Sequence, residues 1–344
     1  MTENEAEPPK SLIPSPEKLS CWVLTNGMAG FETQGRGIAE ALGLAPVMKR
    51  VSPSPPWKWM APWGPAQPDG NIAPPWPDIL IASGRQSIPY AQMIRRKSGW
   101  RTFTVVLQDP RIAPSNFDFV WAPAHDRLEG PNVLSTVVSP HRLTRARLAD
   151  EAKLFAQQVT HLPRPRVAVL IGGTNSVYRL TEETAAGIAR ELAAIADAGA
   201  GLMVTPSRRT GERQTEILKE ALKDRQAVIW DGSGPNPYFG FLGLADAVIV
   251  TCDSVNMVGE AAFTGKPVHV IELDSGQSRK EAKFRRFLDA IYATGAARPF
   301  AGRLESWVYE PLNATDEIAE AIASRFAAHR AKQAARTRPQ EKKG

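Results

Sequence analysis

Cysteine is scarce in this chain of 344 residues, which has only Cys21 and Cys252, far apart in the sequence. This scarcity excludes a disulfide framework and a cysteine-based metal site, and it favours a reducing compartment. Long hydrophobic runs are missing too: the best, residues 239–250, is too short to cross a bilayer and contains Asp246. The N-terminus has neither the basic nor the apolar region of a secretory signal. We therefore expect a cytoplasmic protein, with peripheral contact to the inner face of the membrane as the alternative.

Signatures of nucleic-acid binding are also absent, although the formal net charge is +6. The basic residues form small scattered groups that are not interleaved with stacking aromatic side chains. We therefore expect no nucleic-acid partner. The positive charge instead fits anionic lipid headgroups or a phosphate-bearing substrate.

Buried-strand patterns alternate with helix patterns along the chain, which predicts an α/β fold of two Rossmann-like, doubly wound parallel sheets. Each half begins with a strand that runs into a glycine-rich loop, so we expect two similar domains facing one cleft. Ligands of such folds bind at the carboxyl ends of the strands. The predicted divisions are a disordered N-terminus (1–18), a first domain (19–160) with a Trp- and Pro-rich loop (52–77), a second domain (161–312), and a C-terminal helix with a basic tail (313–344).

The most informative segment is residues 248–273, in the second domain. A strand pattern is followed by the polar turn 251–254, a helix pattern that ends at Phe263, and a second strand pattern. Such a turn offers unpaired amides and the positive end of a helix dipole to an anion. Glu260 lies roughly one turn into the helix, where its carboxylate could accept hydrogen bonds from a ribose diol. The pattern indicates a nucleotide diphosphate site or, equally, an ordinary strand–helix–strand unit that binds nothing.

Two other loops of the second domain are candidates for phosphate binding. The loop after the first strand has paired glycines, which allow close approach to the backbone, and small polar side chains that can donate hydrogen bonds. The loop after the next strand has two arginines, whose guanidinium groups would pair with a diphosphate. The alternatives are a merely tight turn and two surface arginines. The candidates are Gly172, Gly173, Thr174 and Asn175 in the first loop, and Arg208 and Arg209 in the second.

Three strand-end turns of the first domain place polar side chains near one rim. A histidine or carboxylate there could act as general base toward an acceptor hydroxyl, whereas the alternative for each is a capping or turn residue. The pair His125 and Asp126 is the preferred choice for chemistry. The glycines after the first strand do not match the dinucleotide fingerprint, so no bound NAD is expected. The rim residues are Arg85, Asp109, Arg111, His125 and Asp126.

The Trp- and Pro-rich loop has two interpretations. It contains Trp57, Trp59, Trp63 and Trp76 together with Lys58. Indole rings prefer the headgroup level of a bilayer, so this loop could lie at a membrane interface. It could equally pack on the domain surface and hold a long connection in place.

Four segments, taken together and in order, resemble one protein family. They are CWVLTNGMAGFETQGRGIAEALGL, LQDPRIAPSNFDFVWAPAHD, VLIGGTNSVYRLT and TCDSVNMVGEAAFTGKPVHVIEL. They are similar to the mitochondrial-fission "elongated mitochondria" (Elm) family, whose members are mostly bacterial. The resemblance covers about residues 20 to 300 and implies the fold of GT-B glycosyltransferases, in which the C-terminal domain holds most of the nucleotide-sugar.

The resemblance implies a glycosyltransferase that moves a sugar from a nucleotide-sugar to an envelope or lipid-linked acceptor. Alternatives are a nucleotide-sugar epimerase or hydrolase on the same fold, and a non-catalytic membrane-associated scaffold with a fission-type role. No Asp-x-Asp motif is present, so neither a metal nor a cofactor is expected. The implied roles are diphosphate binding by Ser254, Asn256 and Met257, ribose binding by Glu260, and an opposite wall from Gly173 and Thr174. The first-domain residues themselves give the other expected roles: acceptor binding near Gly30, Gln34, Arg85 and Arg111, and catalysis by His125, Asp126 and Asp109.

Overall fold

The computed structural model describes residues 12–275 and 281–337, and the chain divides into two compact units. The first unit comprises the described residues within Met1–Arg142 and Asn313–Gly344, and the second is Leu143–Leu312 without the five undescribed residues. Both units are α/β, and each contains a six-stranded parallel sheet. The predicted fold class, two doubly wound parallel sheets, is confirmed.

The first sheet has strand order β2-β1-β3-β4-β5-β6. All residues of β1, β3, β4 and β5 are buried, as expected for apolar runs covered by helices on both faces. The strands are β1 (Cys21–Thr25), β2 (Pro46–Arg50), β3 (Ile79–Ser83), β4 (Phe103–Leu107), β5 (Phe119–Pro123) and β6 (Val133–Thr136). The helices are α1 (Ala29–Ala41), α2 (Trp57–Met60), α3 (Ile88–Lys97) and, from the C-terminal part of the chain, α10 (Ala314–Thr337).

The second sheet has strand order β12-β11-β10-β7-β8-β9. The strands are β7 (Arg166–Ile171), β8 (Gly201–Pro206), β9 (Ala227–Ile229), β10 (Ala247–Thr251), β11 (Val268–Ile271) and β12 (Ala297–Pro299). The helices are α4 (Arg145–Phe155), α5 (Glu182–Asp197), α6 (Glu212–Leu222), α7 (Tyr238–Leu244), α8 (Val255–Phe263) and α9 (Glu281–Ala293).

The second unit begins earlier in the chain than the sequence divisions place it, because α4 packs tightly on α7. A Cβ atom on Gly240 would overlap the Phe155 ring, and one on Gly243 would lie 2.5 Å from the carbonyl oxygen of Leu148. Glycine at these two positions of α7 therefore allows the close approach that joins α4 to the second unit.

The C-terminal helix α10 belongs to the first unit. The rings of Phe103 and Phe326 meet edge to face at 5.6 Å, and the backbone of His141 exchanges hydrogen bonds with the Thr315 hydroxyl. Residues 12–18, which the sequence assigns to a disordered N-terminus, form a bend and a short 3-10 turn, with Ile13 buried. The rest of that N-terminus, 1–11, and the basic tail from 338 onward lie outside the described residues.

The two sheets share one topological feature. In the first, the chain runs from β1 outward to β2 and then returns to β3 on the other side; in the second, it runs β7, β8, β9 and returns to β10. The loops that follow β1 and β3 in the first sheet, and β7 and β10 in the second, therefore diverge. They leave a crevice at the carboxyl edge of each sheet, which is where open α/β sheets bind ligands. Among the described residues, no helix combines the length and the apolar character needed to span a membrane.

Candidate functional site

In the second unit, the crevice between β7 and β10 is organised by the buried side chain of Asp253. Its Oδ1 accepts a hydrogen bond from the Thr251 hydroxyl at 2.7 Å. Its Oδ2 accepts from the amide of Gly173 at 3.0 Å and from Nη2 of Arg209 at 2.9 Å. A carboxylate with no exposed surface is stable only when it is paired and hydrogen-bonded in this way. Asp253 therefore fixes the three strand-end loops relative to one another.

The paired glycines are required by this packing. A Cβ atom on Gly172 would overlap the carboxylate of Asp253, and one on Gly173 would overlap the carbonyl of Arg209. Both amides are already used, because Gly172 donates to the Thr251 hydroxyl at 2.7 Å and Gly173 donates to Asp253. Packing against Asp253 and Arg209 thus explains both glycines, and their role in phosphate binding stays a prediction.

Thr174 and Asn175 shape the same loop. The Asn175 side chain donates to the carbonyl of Asp253 at 2.9 Å and accepts from the amides of Val177 and Tyr178. Thr174 is exposed, and its hydroxyl accepts from the amide of Leu180 at 3.1 Å. Asn175 therefore has a positioning role, whereas Thr174 lies at the surface of the crevice wall.

The two candidate arginines have different surroundings. Arg209 is held at the crevice by its ion pair with Asp253, and 44% of its side chain remains exposed. Arg208 is exposed and lines a cavity of about 430 Å³ against α6. A guanidinium that pairs with a carboxylate on one side still has exposed N–H groups on the other, and these can donate hydrogen bonds to an anion. Arg209 is therefore the better placed of the two for a diphosphate.

Helix α8 starts beside these loops. The hydroxyl of Ser254, its N-cap, accepts a hydrogen bond from the Met257 amide at 3.4 Å. Asn256 is exposed in the first turn, and Glu260 follows four residues later on the same helix face. The first turn of α8, where the positive end of the helix dipole lies, and the Glu260 side chain thus share one face of the helix.

Glu260 is the most perturbed carboxyl group of this surface. It is half-buried, and its Oε2 accepts a hydrogen bond from the Tyr238 hydroxyl at 2.6 Å. Burial raises its pKa from an ordinary 4.5 to about 7, although the hydrogen bond from Tyr238 opposes that rise. A carboxyl group that lies in a crevice and has a pKa shifted by burial is a common feature of functional sites.

Sequence reasoning missed Asp253 and Tyr238. Asp253 lies inside the turn 251–254, and its position two residues after a buried strand was the available signal. Tyr238 comes from the start of α7, so only the fold brings its hydroxyl to Glu260. The described residues contain no group of three or more His, Cys, Asp or Glu side chains arranged to hold a metal.

In the first unit, a cavity of about 430 Å³ lies at the carboxyl ends of β3 and β4. It brings together three of the five predicted rim residues, Arg85, Asp109 and Arg111. Asp109 accepts from the Arg111 amide at 2.8 Å and pairs with its guanidinium at 3.3 Å. The cavity is lined by Phe31, Pro62, Trp63, Gly84, Arg85, Ile88, Leu107, Gln108, Asp109 and Arg111.

The remaining first-unit candidates lie outside that lining. Gln34 is buried, and its Oε1 accepts from Gln108 at 3.3 Å, which connects it to the cavity wall. Gly30 is exposed in the first turn of α1. His125 is buried, with Nε2 3.9 Å from Asp126, and neither residue lines the cavity. The buried imidazole is therefore poorly placed to act as an open general base.

Gln108 adds a feature that the sequence could not show. Its backbone φ angle is +81°, in the left-handed region that residues other than glycine rarely adopt. Its amide donates to the Trp121 carbonyl at 2.7 Å, which holds the backbone in this conformation. Such strained positions cluster at ligand-binding sites.

Comparison with solved structures shows the class of fold. UDP-GlcNAc 2-epimerase from Methanocaldococcus jannaschii is similar over 90% of this chain and 100% of that chain, with a TM-score of 0.55 and 11% identity. The same enzyme in complex with UDP-GlcNAc and UDP gives a TM-score of 0.52 at 12% identity, covering 90% of this chain and 99% of that chain. The two units are those of a GT-B-like α/β protein.

The family follows from sequence comparison. The model of the Mitochondrial fission ELM1 family matches residues 29–326, so the chain belongs to this family. Mitochondrial fission protein ELM1 of Arabidopsis thaliana is 33% identical over 279 residues, which cover 73% of this chain and 64% of the plant protein. The chain thus spans less than two thirds of the length of that relative. An uncharacterised protein of Rickettsia prowazekii is 26% identical over 287 residues, covering 72% of this chain and 79% of that protein.

Proposed function

We propose that the chain is a glycosyltransferase that transfers a sugar from a nucleoside diphosphate sugar to an envelope or lipid-linked acceptor. The donor would bind the crevice of the second unit, and the acceptor would bind the cavity of the first. The observation that carries the proposal is the juxtaposition, on one face of α8, of a capped helix N-terminus and the desolvated carboxyl group of Glu260, with Arg209 held at the same crevice.

The diphosphate would bind the first turn of α8. The positive end of the helix dipole, the Ser254 and Asn256 side chains and the backbone at Met257 favour an anion there. The open side of the Arg209 guanidinium adds a positive charge, and the exposed Arg208 adds a second. The ribose diol would donate to the carboxylate of Glu260, whose Oε2 also accepts a hydrogen bond from Tyr238.

Transfer would form a bond from the acceptor oxygen to the anomeric carbon of the sugar. The bond from that carbon to the diphosphate breaks, and its electron pair leaves on the diphosphate, where the helix N-terminus and arginine stabilise the new charge. The acceptor proton passes to a base, for which we assign Asp109, the carboxylate of the first-unit cavity. Arg85, Arg111 and Gln34 would position the acceptor.

Thermal unfolding of the full chain with a panel of nucleoside diphosphates and their sugars tests the donor site. One nucleotide class, with uridine first because a fold neighbour is solved with UDP, should raise the melting temperature by several degrees. Glu260→Gln should lose this shift, whereas the exposed Glu183→Gln, at the start of α5, should keep it. No shift with any nucleotide would contradict the donor site.

Product analysis distinguishes transfer from other reactions on the same fold. With the nucleotide-sugar alone, a transferase should leave the donor almost unchanged, and sugar should be consumed when a lipid-linked acceptor is added. An isomerised nucleotide-sugar or free sugar in the absence of acceptor would instead indicate an epimerase or a hydrolase.

A further inference from the structure

The first unit displays an exposed apolar knob formed by Trp59, Met60 and Trp63. The two tryptophans are each 70% exposed and Met60 is 37% exposed. The other two tryptophans of this loop differ: Trp76 packs edge to face on Trp22 at 6.2 Å, and Trp57 is half-buried. The loop therefore divides its aromatic side chains between an inward group, which anchors it, and the outward knob.

The outward tryptophans are held by an ordered backbone. The amides of Trp63 and Gly64 both donate to the Met60 carbonyl at 2.9 Å, and the amide of Lys58 donates to the Ser54 carbonyl at 3.0 Å. Ala61, between the exposed side chains, is buried and anchors the turn. These hydrogen bonds stabilise the turn conformation in which the indole rings are exposed, so another surface would be needed to cover them.

The charges around the knob are mainly positive. Lys58 is exposed within α2, and Arg85 is exposed and donates from Nη2 to the Lys58 carbonyl at 3.1 Å. Arg111 is exposed in the cavity that Trp63 also lines, and Asp109 is the single acidic residue of that lining. Apolar rings bordered by cations complement a surface with an apolar interior and negative headgroups.

We propose that the Trp59–Met60–Trp63 knob docks the protein onto an anionic lipid bilayer at headgroup level. Indole rings combine an apolar body with a polar N–H, which suits that depth, and the neighbouring cations attract the lipid phosphates. Docking places the adjacent first-unit cavity at the lipid surface. This binding does not depend on the nucleotide-sugar chemistry, because it needs neither donor nor acceptor.

Vesicle sedimentation of the full chain tests the proposal without nucleotide. The wild type should bind phosphatidylcholine vesicles that contain phosphatidylglycerol, bind pure phosphatidylcholine more weakly, and be released by high salt. The double variant Trp59→Ala/Trp63→Ala should lower partitioning by about tenfold or more. Trp100→Ala is the matched control, because Trp100 is also an exposed tryptophan of the first unit (51%) but lies before β4 under the Arg95 guanidinium.

Three outcomes would overturn the proposal. They are absence of wild-type binding to anionic vesicles, unchanged binding of the double variant, and an equal loss for Trp100→Ala. Sedimentation equilibrium without lipid gives an independent check. A dimer that dissociates in the double variant would show that a second copy of the chain, not a bilayer, covers the knob.

Discussion

Replacing Glu260 by glutamine removes a carboxyl group whose ionisation the folded protein disfavours. The pKa of Glu260 is raised from 4.5 to about 7, mainly by burial. At about 1.36 kcal/mol per pH unit, this difference corresponds to at most about 3.4 kcal/mol. Because the side chain is only half-buried, we expect a smaller effect, about 1–3 kcal/mol. Glutamine keeps an oxygen that accepts from Tyr238.

The sign of the effect depends on pH. A carboxyl group with a raised folded-state pKa contributes stability that is fully present below pH 4.5 and is lost as pH rises through about 7. Glu260→Gln does not titrate, so the variant should be more stable than the wild type at pH 8, and most of that gain should be gone at pH 5.

Urea unfolding at both pH values measures this difference, since other titrating groups cancel between the two proteins. Glu183→Gln, at the exposed start of α5, is the matched control for the replacement of a glutamate by glutamine. A variant that is less stable than the wild type at pH 8, or a difference that does not change with pH, would refute the burial argument.

Further predictions concern the loops around Glu260. Asp253→Ala should lower the free energy of unfolding by about 3–5 kcal/mol, because it leaves buried hydrogen-bond donors unpaired. The control Asp197→Ala breaks an exposed ion pair and should lower the free energy of unfolding by less than about 1 kcal/mol, and urea titration of both variants measures the difference. Gly173→Ala should destabilise by about 1–3 kcal/mol through overlap with the Arg209 carbonyl, but Gly187→Ala, in the open interior of α5, should stabilise by about 0.5–1 kcal/mol, which thermal unfolding would reveal. Affinity for the nucleotide should rise between pH 6 and pH 8, because Glu260 ionises in this range. Calorimetric titration should find that the affinity of Glu260→Gln depends less on pH. If the pH dependence of the affinity is the same in both proteins, Glu260 is not the ribose ligand.

Much of the fold could be predicted from the sequence because the central strands are continuous apolar runs. The segment 248–273 contains the strand, turn, helix and second strand that its pattern indicates, and the helix ends at Phe263. The edge strand β2 gives no clear strand pattern because it is half-exposed and mixed in polarity, and β12 gives none because it has only three residues. Local patterns carry no signal for an edge strand whose partner supplies its hydrogen bonds.

The candidate site was predictable only in its location. Strand-end loops can be recognised from sequence, but the use of each residue depends on its neighbours across the sheet. The sequence does not show that the Asp253 carboxylate packs against Gly172 or that His125 is buried, because both facts depend on the fold. Arg85, Asp109 and Arg111 do meet in one cavity, because their strands are adjacent and parallel.

Hydrogen exchange of the full chain, with and without the nucleoside diphosphate identified by thermal unfolding, tests the donor site of the second unit. We expect added protection at the start of α8, residues 254–260, and in the Arg208–Arg209 loop, with little change in the first unit. Protection confined to the first unit, or no change in either unit at saturating nucleotide, would contradict a donor site at the carboxyl edge of the second sheet.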